Sequence, residues 1–386
     1  MSSLYFDNAA TTFPSEKSMM VFSDTLIRFP GNPSSSHRLG QEAQSCLTNA
    51  RKQVASLLNI KDLSSVIFTS SATESNNIVM QSLILGEKRG RIIISSSEHP
   101  SISENKTVLE HCGFEVVTLK TEYGTVTKEE LIKNLTPDTV LVAIMYVNNV
   151  NGAVNNIPML ARTVSDYKNE MHKNILFHTD AVQAAGKIHL DADKLKEAGV
   201  TSFSLSGHKF NAPRGCGILF ATSVQTRSLS KGGGQENTKR PGTENLAAIL
   251  ATAASLKDAT EKTEIQKKHY AELKDILLSM LLKKLGNALK ILSPEASTPS
   301  IVSVSLKGLA GEITVRATSE KGIYIGTTSA CSSNAKKSEK KSLINMGYSA
   351  QDERDAIRIS FSENNTKDDV ITLANALIDI YQKYHA

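Results

Sequence analysis

A lysine closes one of the β-like runs of this chain, in Ser204-Leu205-Ser206-Gly207-His208-Lys209. Held in a dry site, a lysine has a lowered pKa and forms a Schiff base with an aldehyde cofactor; just past a strand it is more often a solvated surface residue. In His178-Thr179-Asp180-Ala181-Val182-Gln183 an acid follows another buried-looking run. There it either faces a protonated ring nitrogen or caps a helix. The stretch Thr69-Ser70-Ser71-Ala72-Thr73-Glu74-Ser75 joins a strand to a helix. Its small residues admit an anion at the helix N-terminus, and they equally make an ordinary Ser/Thr cap. Taken singly, each of these readings stays open. Their joint order adds weight: the anion seat, His99 on Glu98-His99-Pro100, Asn149, Asp180 with Gln183, then Lys209, each just past a strand-like run.

Those runs imply the scaffold. Short β-branched segments at 66–69, 91–95, 115–119, 140–145, 175–178, 202–205 and 217–221 alternate with helical patterns such as 74–85, 101–112 and 157–171. Several are apolar throughout, as strands buried on both faces are, so a mostly parallel, doubly covered sheet is expected. Leu273, Ile276, Leu277, Met280 and Leu281 then form one apolar helical stripe that Gly286 terminates. A smaller α/β pattern follows, with strands at 301–306, near Tyr324 and at 356–360, a helix from Gly311 and a last helix from Lys367 to Tyr384. It reads as a separate C-terminal domain, with a boundary near residue 257.

Composition narrows the class. The 386 residues suit two or three domains at roughly 150 residues each, or one large domain with an appendage. The longest apolar run, Val140 to Val147, is far short of the ~20 residues that span a bilayer. The N-terminus carries neither a basic start nor an apolar stretch, so no signal peptide is expected, and the reading is a soluble cytoplasmic protein with no membrane partner. A net charge of +5, sparse aromatics and no Trp argue against a nucleic-acid partner. Cys46, Cys112, Cys216 and Cys331 lie far apart with no Cys-x-x-Cys pair, which suits free thiols and neither a disulfide framework nor a metal site.

The ordered set resembles the cysteine desulfurases of the NifS/IscS kind, in the class V branch of the fold-type-I pyridoxal 5'-phosphate (PLP) enzymes. The matching segments include Asp7-Asn8-Ala9-Ala10-Thr11-Thr12, Gly31-Asn32-Pro33, His37-Arg38-Leu39-Gly40, Ala72-Thr73-Glu74-Ser75-Asn76, Glu98-His99, Asn148-Asn149 and Asp180-Ala181-Val182-Gln183. Further on come Ser206-Gly207-His208-Lys209, Gly232-Gly233-Gly234-Gln235-Glu236, Arg240-Pro241-Gly242-Thr243, Ser329-Ala330-Cys331 and Arg358-Ile359-Ser360. They run from residue 6 to about 365 in family order. The resemblance implies a seven-stranded, mostly parallel sheet in a large PLP-binding domain (15–257) and a small α/β domain (1–14 with 258–386) carrying the catalytic cysteine loop. It implies that Lys209 holds PLP, that Asp180 pairs with the pyridine nitrogen, that His99 stacks on the ring and shuttles protons, and that Gln183 bonds the phenolic oxygen. Thr73, Ser206 and His208 would hold the phosphate, joined by Thr243 of a second subunit, so a homodimer is expected; Ala72 and Asn149 would also contact the cofactor. Asn149 and Arg358 would fix the carboxylate of the substrate, L-cysteine.

Cys331 decides the reaction. It occupies the family's persulfide position, and the lysines just after it, Lys336, Lys337, Lys340 and Lys341, favour its thiolate, while the other cysteines read as small buried residues. The implied reaction leaves alanine and a Cys331 persulfide for an acceptor in iron–sulfur or other thio-cofactor assembly. Selenocysteine lyase, aminotransferase and a non-catalytic partner-binding relative are the alternatives. The chain departs from the family pattern at Ser71, where glycine is usual, at Val150, where glutamate is usual, and in Thr327-Thr328-Ser329-Ala330-Cys331. Glu363 stands where glycine is usual and places an acid near the expected carboxylate clamp. The lysines at 336–341 read as a solvated loop, or as a docking surface for an acidic sulfur-acceptor protein.

Overall fold

Strands with almost no polar interruption need cover on both faces, and the computed structural model, which describes residues 3–86, 89–222, 226–227, 230–327 and 342–385, builds them into such a sheet. In chain order the strands are β1 (Leu4–Tyr5), β2 (Val66–Thr69), β3 (Arg91–Ser95), β4 (Glu115–Leu119), β5 (Thr139–Ala143), β6 (Leu176–Asp180), β7 (Ser202–Ser206), β8 (Gly217–Ala221), β9 (Leu289–Ile291), β10 (Ile301–Leu306), β11 (Ile323–Tyr324), β12 (Gly326–Thr327) and β13 (Ala356–Ser360). The large sheet has seven strands in the order β2-β8-β7-β6-β5-β3-β4. Only β8 runs antiparallel to its neighbours, so the sheet is α/β and mostly parallel as expected.

Strand ends differ from the sequence reading in ways that matter for the site. β6 runs on through Asp180, which pairs with Ser204 of β7, so the acid is the last strand residue and does not cap a helix. β5 stops at Ala143, because beyond it the Met145 N–H turns to the Glu98 carboxylate. The helix expected from residue 74 begins at Ala72, where the Ser71 hydroxyl accepts from the Glu74 N–H at 3.2 Å. Serine in place of the usual glycine thus supplies a cap.

Helices cover both faces. In Arg38–Leu57 the buried residues Ala43, Leu47, Ala50 and Val54 recur at i, i+4, i+7 and i+11, one stripe facing the core. The alanine-rich helix Leu246–Glu261 is buried nearly all round and packs on Arg38–Leu57 and on Glu16–Arg28. Arg51 clamps Glu236 through two hydrogen bonds of 2.8 Å, and Glu236 also accepts from the Phe68 N–H at 2.9 Å. This ties the glycine-rich 232–243 segment to β2; removing one member of such a buried pair costs about 3–5 kcal/mol.

A second core lies under an antiparallel sheet of order β12-β13-β10-β9. Leu273, Leu277 and Leu281 of helix Thr263–Leu285 bury here with Ile276 and Met280 packed beside them, and Gly286 ends that helix at φ 50°. Ala259 still belongs to the first core, whereas Tyr270 belongs to the second. The N-terminal segment joins this unit through β1, which pairs in parallel with β11. Val150, buried at 5 % exposure, packs with Leu292, Leu343 and Tyr348, so an apolar contact between the two units replaces the glutamate of the family pattern. Among the described cysteines Cys216 is buried, while Cys46 and Cys112 are only half-buried because their helices leave them at the edge of a core. No helix of the described residues is long and apolar enough to cross a membrane.

Candidate active site

Parallel strands bring the loops at their carboxyl ends to one edge of the sheet. The segments after β2, β3, β5, β6 and β7 meet there around a cavity of about 180 Å³. Of the residues expected from the sequence, Ala72, Thr73, His99, Asn149, Asp180, Gln183, Ser206, His208 and Lys209 all line it. Lys209 ends the single 3₁₀ turn Gly207–Lys209 that comes after β7. Glycine is required at 207, since a Cβ there would lie 2.8 Å from Thr252 Oγ1 on the helix packed behind. The Lys209 amine donates to the carbonyls of Ala9 at 2.7 Å and Ala10 at 2.6 Å. Gln183 Nε2 also donates to the Ala9 carbonyl at 2.9 Å, and its Oε1 is buried without a partner.

The N-terminal segment is thus part of the site. Thr12 donates its N–H to the His208 carbonyl at 2.9 Å, and Asn8 Nδ2 donates to the carbonyl of Ser360 on β13 at 2.9 Å. Burial, helped by the charges of Lys209, Arg214 and Lys187, pushes the His208 imidazole down to about 4 and leaves it neutral at pH 7.

Asp180 is 4 % exposed and is held on both oxygens: Val182 N–H donates to Oδ1 at 3.0 Å and Asn76 Nδ2 to Oδ2 at 2.8 Å. Asn76 also donates to Ser101 Oγ at 2.8 Å, and Ser101 Oγ lies 2.9 Å from His99 Nδ1. Behind Asn76, His178 Nε2 lies 3.0 Å from Oδ1, and Ser204 Oγ donates to the same oxygen. Glu98 sits beside His99 with one oxygen accepting from Ser95 Oγ at 2.6 Å and Met145 N–H at 2.7 Å. Burial lifts its carboxyl to about 8, so it is protonated near neutral pH. Sequence reasoning assigned no role to Asn76, Ser101, His178 or Glu98. One signal was available: Asn76 stands four residues after Ala72, a polar residue on the buried face of its helix.

Other expected residues lie elsewhere. Thr243 does not line this cavity; it borders a separate one of about 140 Å³ with Cys216 and Arg240. Arg358 is 1 % exposed and donates from Nη2 to Asp7 Oδ1 at 2.7 Å and from Nη1 to the Asn149 carbonyl at 2.9 Å, while its Nε has no partner. Gly326 gives this pair room, since a Cβ there would approach Asp7 Oδ1 to 2.6 Å. Glu363 is not set against the guanidinium as its sequence position suggested. It accepts from Lys262 Nζ at 2.9 Å and Gln266 Nε2 at 3.1 Å, drawn aside by the nearer cation. Cys331 and the lysines at 336–341 lie outside the described residues.

The donor set fits an aldehyde cofactor with an anionic tail. It offers an amine at the end of β7, an acid at the end of the adjacent β6, and the first-turn N–H groups of Ala72 and Thr73, which have no intrahelical acceptor. The fold and this donor set define the class: a PLP enzyme of fold type I. More narrowly, the chain belongs to the class V aminotransferase family, whose model matches residues 4–373. A "NifS/IcsS protein homolog" of Lactobacillus delbrueckii subsp. bulgaricus is 39% identical over 99% of this chain and 98% of its own length. A protein named "Cysteine desulfurase IscS" from Methanosarcina thermophila is 32% identical, covering 98% of this chain and 92% of its own. Among solved structures, one described as "NIFS-LIKE PROTEIN" is similar with a TM-score of 0.89 at 33% identity over 99% of this chain and all of its own. A NifS-like protein from Rickettsia africae gives a TM-score of 0.83 at 27% identity, covering 98% of this chain and 99% of its own.

Proposed function

We propose that this chain is a PLP-dependent cysteine desulfurase that converts L-cysteine and an enzyme thiol to alanine and an enzyme persulfide. The observation that carries the reading is Lys209 and Asp180 at the ends of adjacent strands in one cavity, in a chain whose relatives include proteins named cysteine desulfurase. When bound, the cofactor withdraws electrons from the substrate α-carbon, which makes the bond to sulfur labile. Lys209 would hold the cofactor, Asp180 would accept a hydrogen bond from its ring nitrogen and keep that nitrogen protonated, Gln183 would bond its phenolic oxygen, and Thr73, Ser206 and His208 would hold its phosphate beside Ala72. His99 moves protons. Asn149 and the remaining N–H groups of Arg358 bind the substrate carboxylate. The Cys331 thiolate takes the sulfur, forming an S–S bond as the carbon–sulfur bond breaks, and passes it to an acceptor in iron–sulfur or thio-cofactor assembly. The holoprotein incubated with L-cysteine and a thiol reductant is expected to release sulfide and alanine in equal amounts. Alanine without sulfide, or neither product, overturns the activity.

The working unit in this reading is a cytoplasmic homodimer in which Thr243 reaches the phosphate of the other subunit. Phe13, Met20, Leu26 and Ile27 support it: these large apolar side chains on and beside helix Glu16–Arg28 are 59–78% exposed, and a partner subunit would cover them. Light scattering is expected to give twice the chain mass. Ile27→Glu should shift the protein toward the single-chain mass, and a wild-type monomer that retains PLP would sink the dimer.

A further inference from the structure

We propose that Asn76 is a positioning residue that couples Asp180 to His99, one side-chain amide fixing both the acid of the site and the protonation pattern of its imidazole. The proposal rests on the functional reading above, in which those two residues meet the cofactor.

The argument starts from what each group can donate. An ionised Asp180 only accepts, so the Asn76 atom 2.8 Å from its Oδ2 is the amide nitrogen. The second N–H of that nitrogen goes to Ser101 Oγ at 2.8 Å. The amide oxygen therefore faces His178 and Ser204, so His178 Nε2, 3.0 Å away, donates to it. His178 is wholly buried, and burial pushes its imidazole down to about 4. Its Nδ1 lies 2.9 Å from Ser202 Oγ on β7. The direction of the chain is fixed at Asp180, which holds the amide nitrogen and leaves the amide oxygen to face His178 and Ser204.

The same reasoning continues toward His99. Ser101 Oγ accepts from Asn76, which frees its own proton for His99 Nδ1 at 2.9 Å. The Ser101 N–H also donates to that Nδ1, at 3.1 Å. His99 Nδ1 is thus an acceptor twice over, and the ring proton resides on Nε2. Asn76 is buried at 0 % exposure and all its polar capacity is used, so no water substitutes for it on either arm.

Two variants separate the arms. Asn76→Leu keeps the volume and removes both donors. PLP is expected to bind its apoprotein about tenfold more weakly, the scale at which outer hydrogen-bond partners act. The pH midpoint of the visible band of the bound cofactor should move by about one unit. Ser101→Ala removes the hydroxyl that links Asn76 to His99 while keeping the Ser101 N–H on Nδ1 and the Asn76–Asp180 bond; it should leave PLP affinity unchanged and move the pH profile of turnover. An Asn76→Leu protein that is folded, with wild-type PLP affinity and band midpoint, overturns the proposal while leaving the desulfurase reading intact. A wild-type protein that takes up no PLP removes both. If Asn76→Leu does not fold, ¹⁵N spectra of histidine-labelled wild type decide: an unprotonated Nδ1 on His99, assigned through His99→Gln, supports the chain, and a protonated Nδ1 overturns it.

Discussion

Lys209→Ala is expected to yield a colourless protein whose turnover of L-cysteine falls by at least about three orders of magnitude, since the group that holds and releases the cofactor is gone. The fold should survive. The amine donates to the Ala9 and Ala10 carbonyls, and leaving these unpaired costs about 1–3 kcal/mol, which thermal unfolding would register as a modest loss. Lys209→Arg separates the two effects. It keeps the charge and donors toward those carbonyls but makes no covalent link to an aldehyde, so stability should recover and colour should not. Visible absorption after dialysis, with alanine production beside it, is the measurement. A Lys209→Ala protein that stays yellow and active would remove this lysine from the reaction.

Cys331→Ala is expected to lower sulfide release to about one per cent or less while PLP binding stays at the wild-type level. The substrate sulfur leaves only if a nucleophile takes it, and the proposed balance gives it to this thiol: L-cysteine and Cys331–SH become alanine and Cys331–S–SH. With ³⁵S-labelled L-cysteine and no reductant, the wild-type protein should carry label that a thiol reductant removes, and the variant should carry none. An aminotransferase would be indifferent to the change and would release no sulfide; full sulfide release by Cys331→Ala would remove this thiol from the reaction. Cys216 is a poor substitute, because burial pushes its thiol up to about 12.

The large sheet was legible because its strands are buried on both faces and so carry unbroken apolar runs, as β2 and β8 do. The residues just past those strands were equally legible, since parallel topology forces them together whatever the intervening helices do. β9 and β12 were not, being edge strands of three and two residues, too short to carry an alternation of their own. Asp180 read equally as a cap because the sequence marks no strand end; its ladder with Ser204 of β7 decides that. Glu363 was misplaced for a related reason. Spacing from Arg358 puts an acid near the guanidinium, but Lys262 and Gln266 arrive from another helix, and no local pattern announces them. Asn76 stayed silent because its importance lies in which atoms face it, a property of three separate elements at once.

The clasp between residue 8 and β13 has a consequence in time. Asn8 and Ser360 are 352 residues apart, which a ribosome adding about 5–20 residues per second covers in roughly 20–70 s. In the later part of that interval, once β8 has been made, the large sheet has all its strands, yet the carbonyls of Ala9 and Ala10 that seat the Lys209 amine lack the anchor that Asn8 makes on Ser360. The N-terminal wall of the Lys209 seat is accordingly completed only when β13, one of the last strands to leave the ribosome, has arrived.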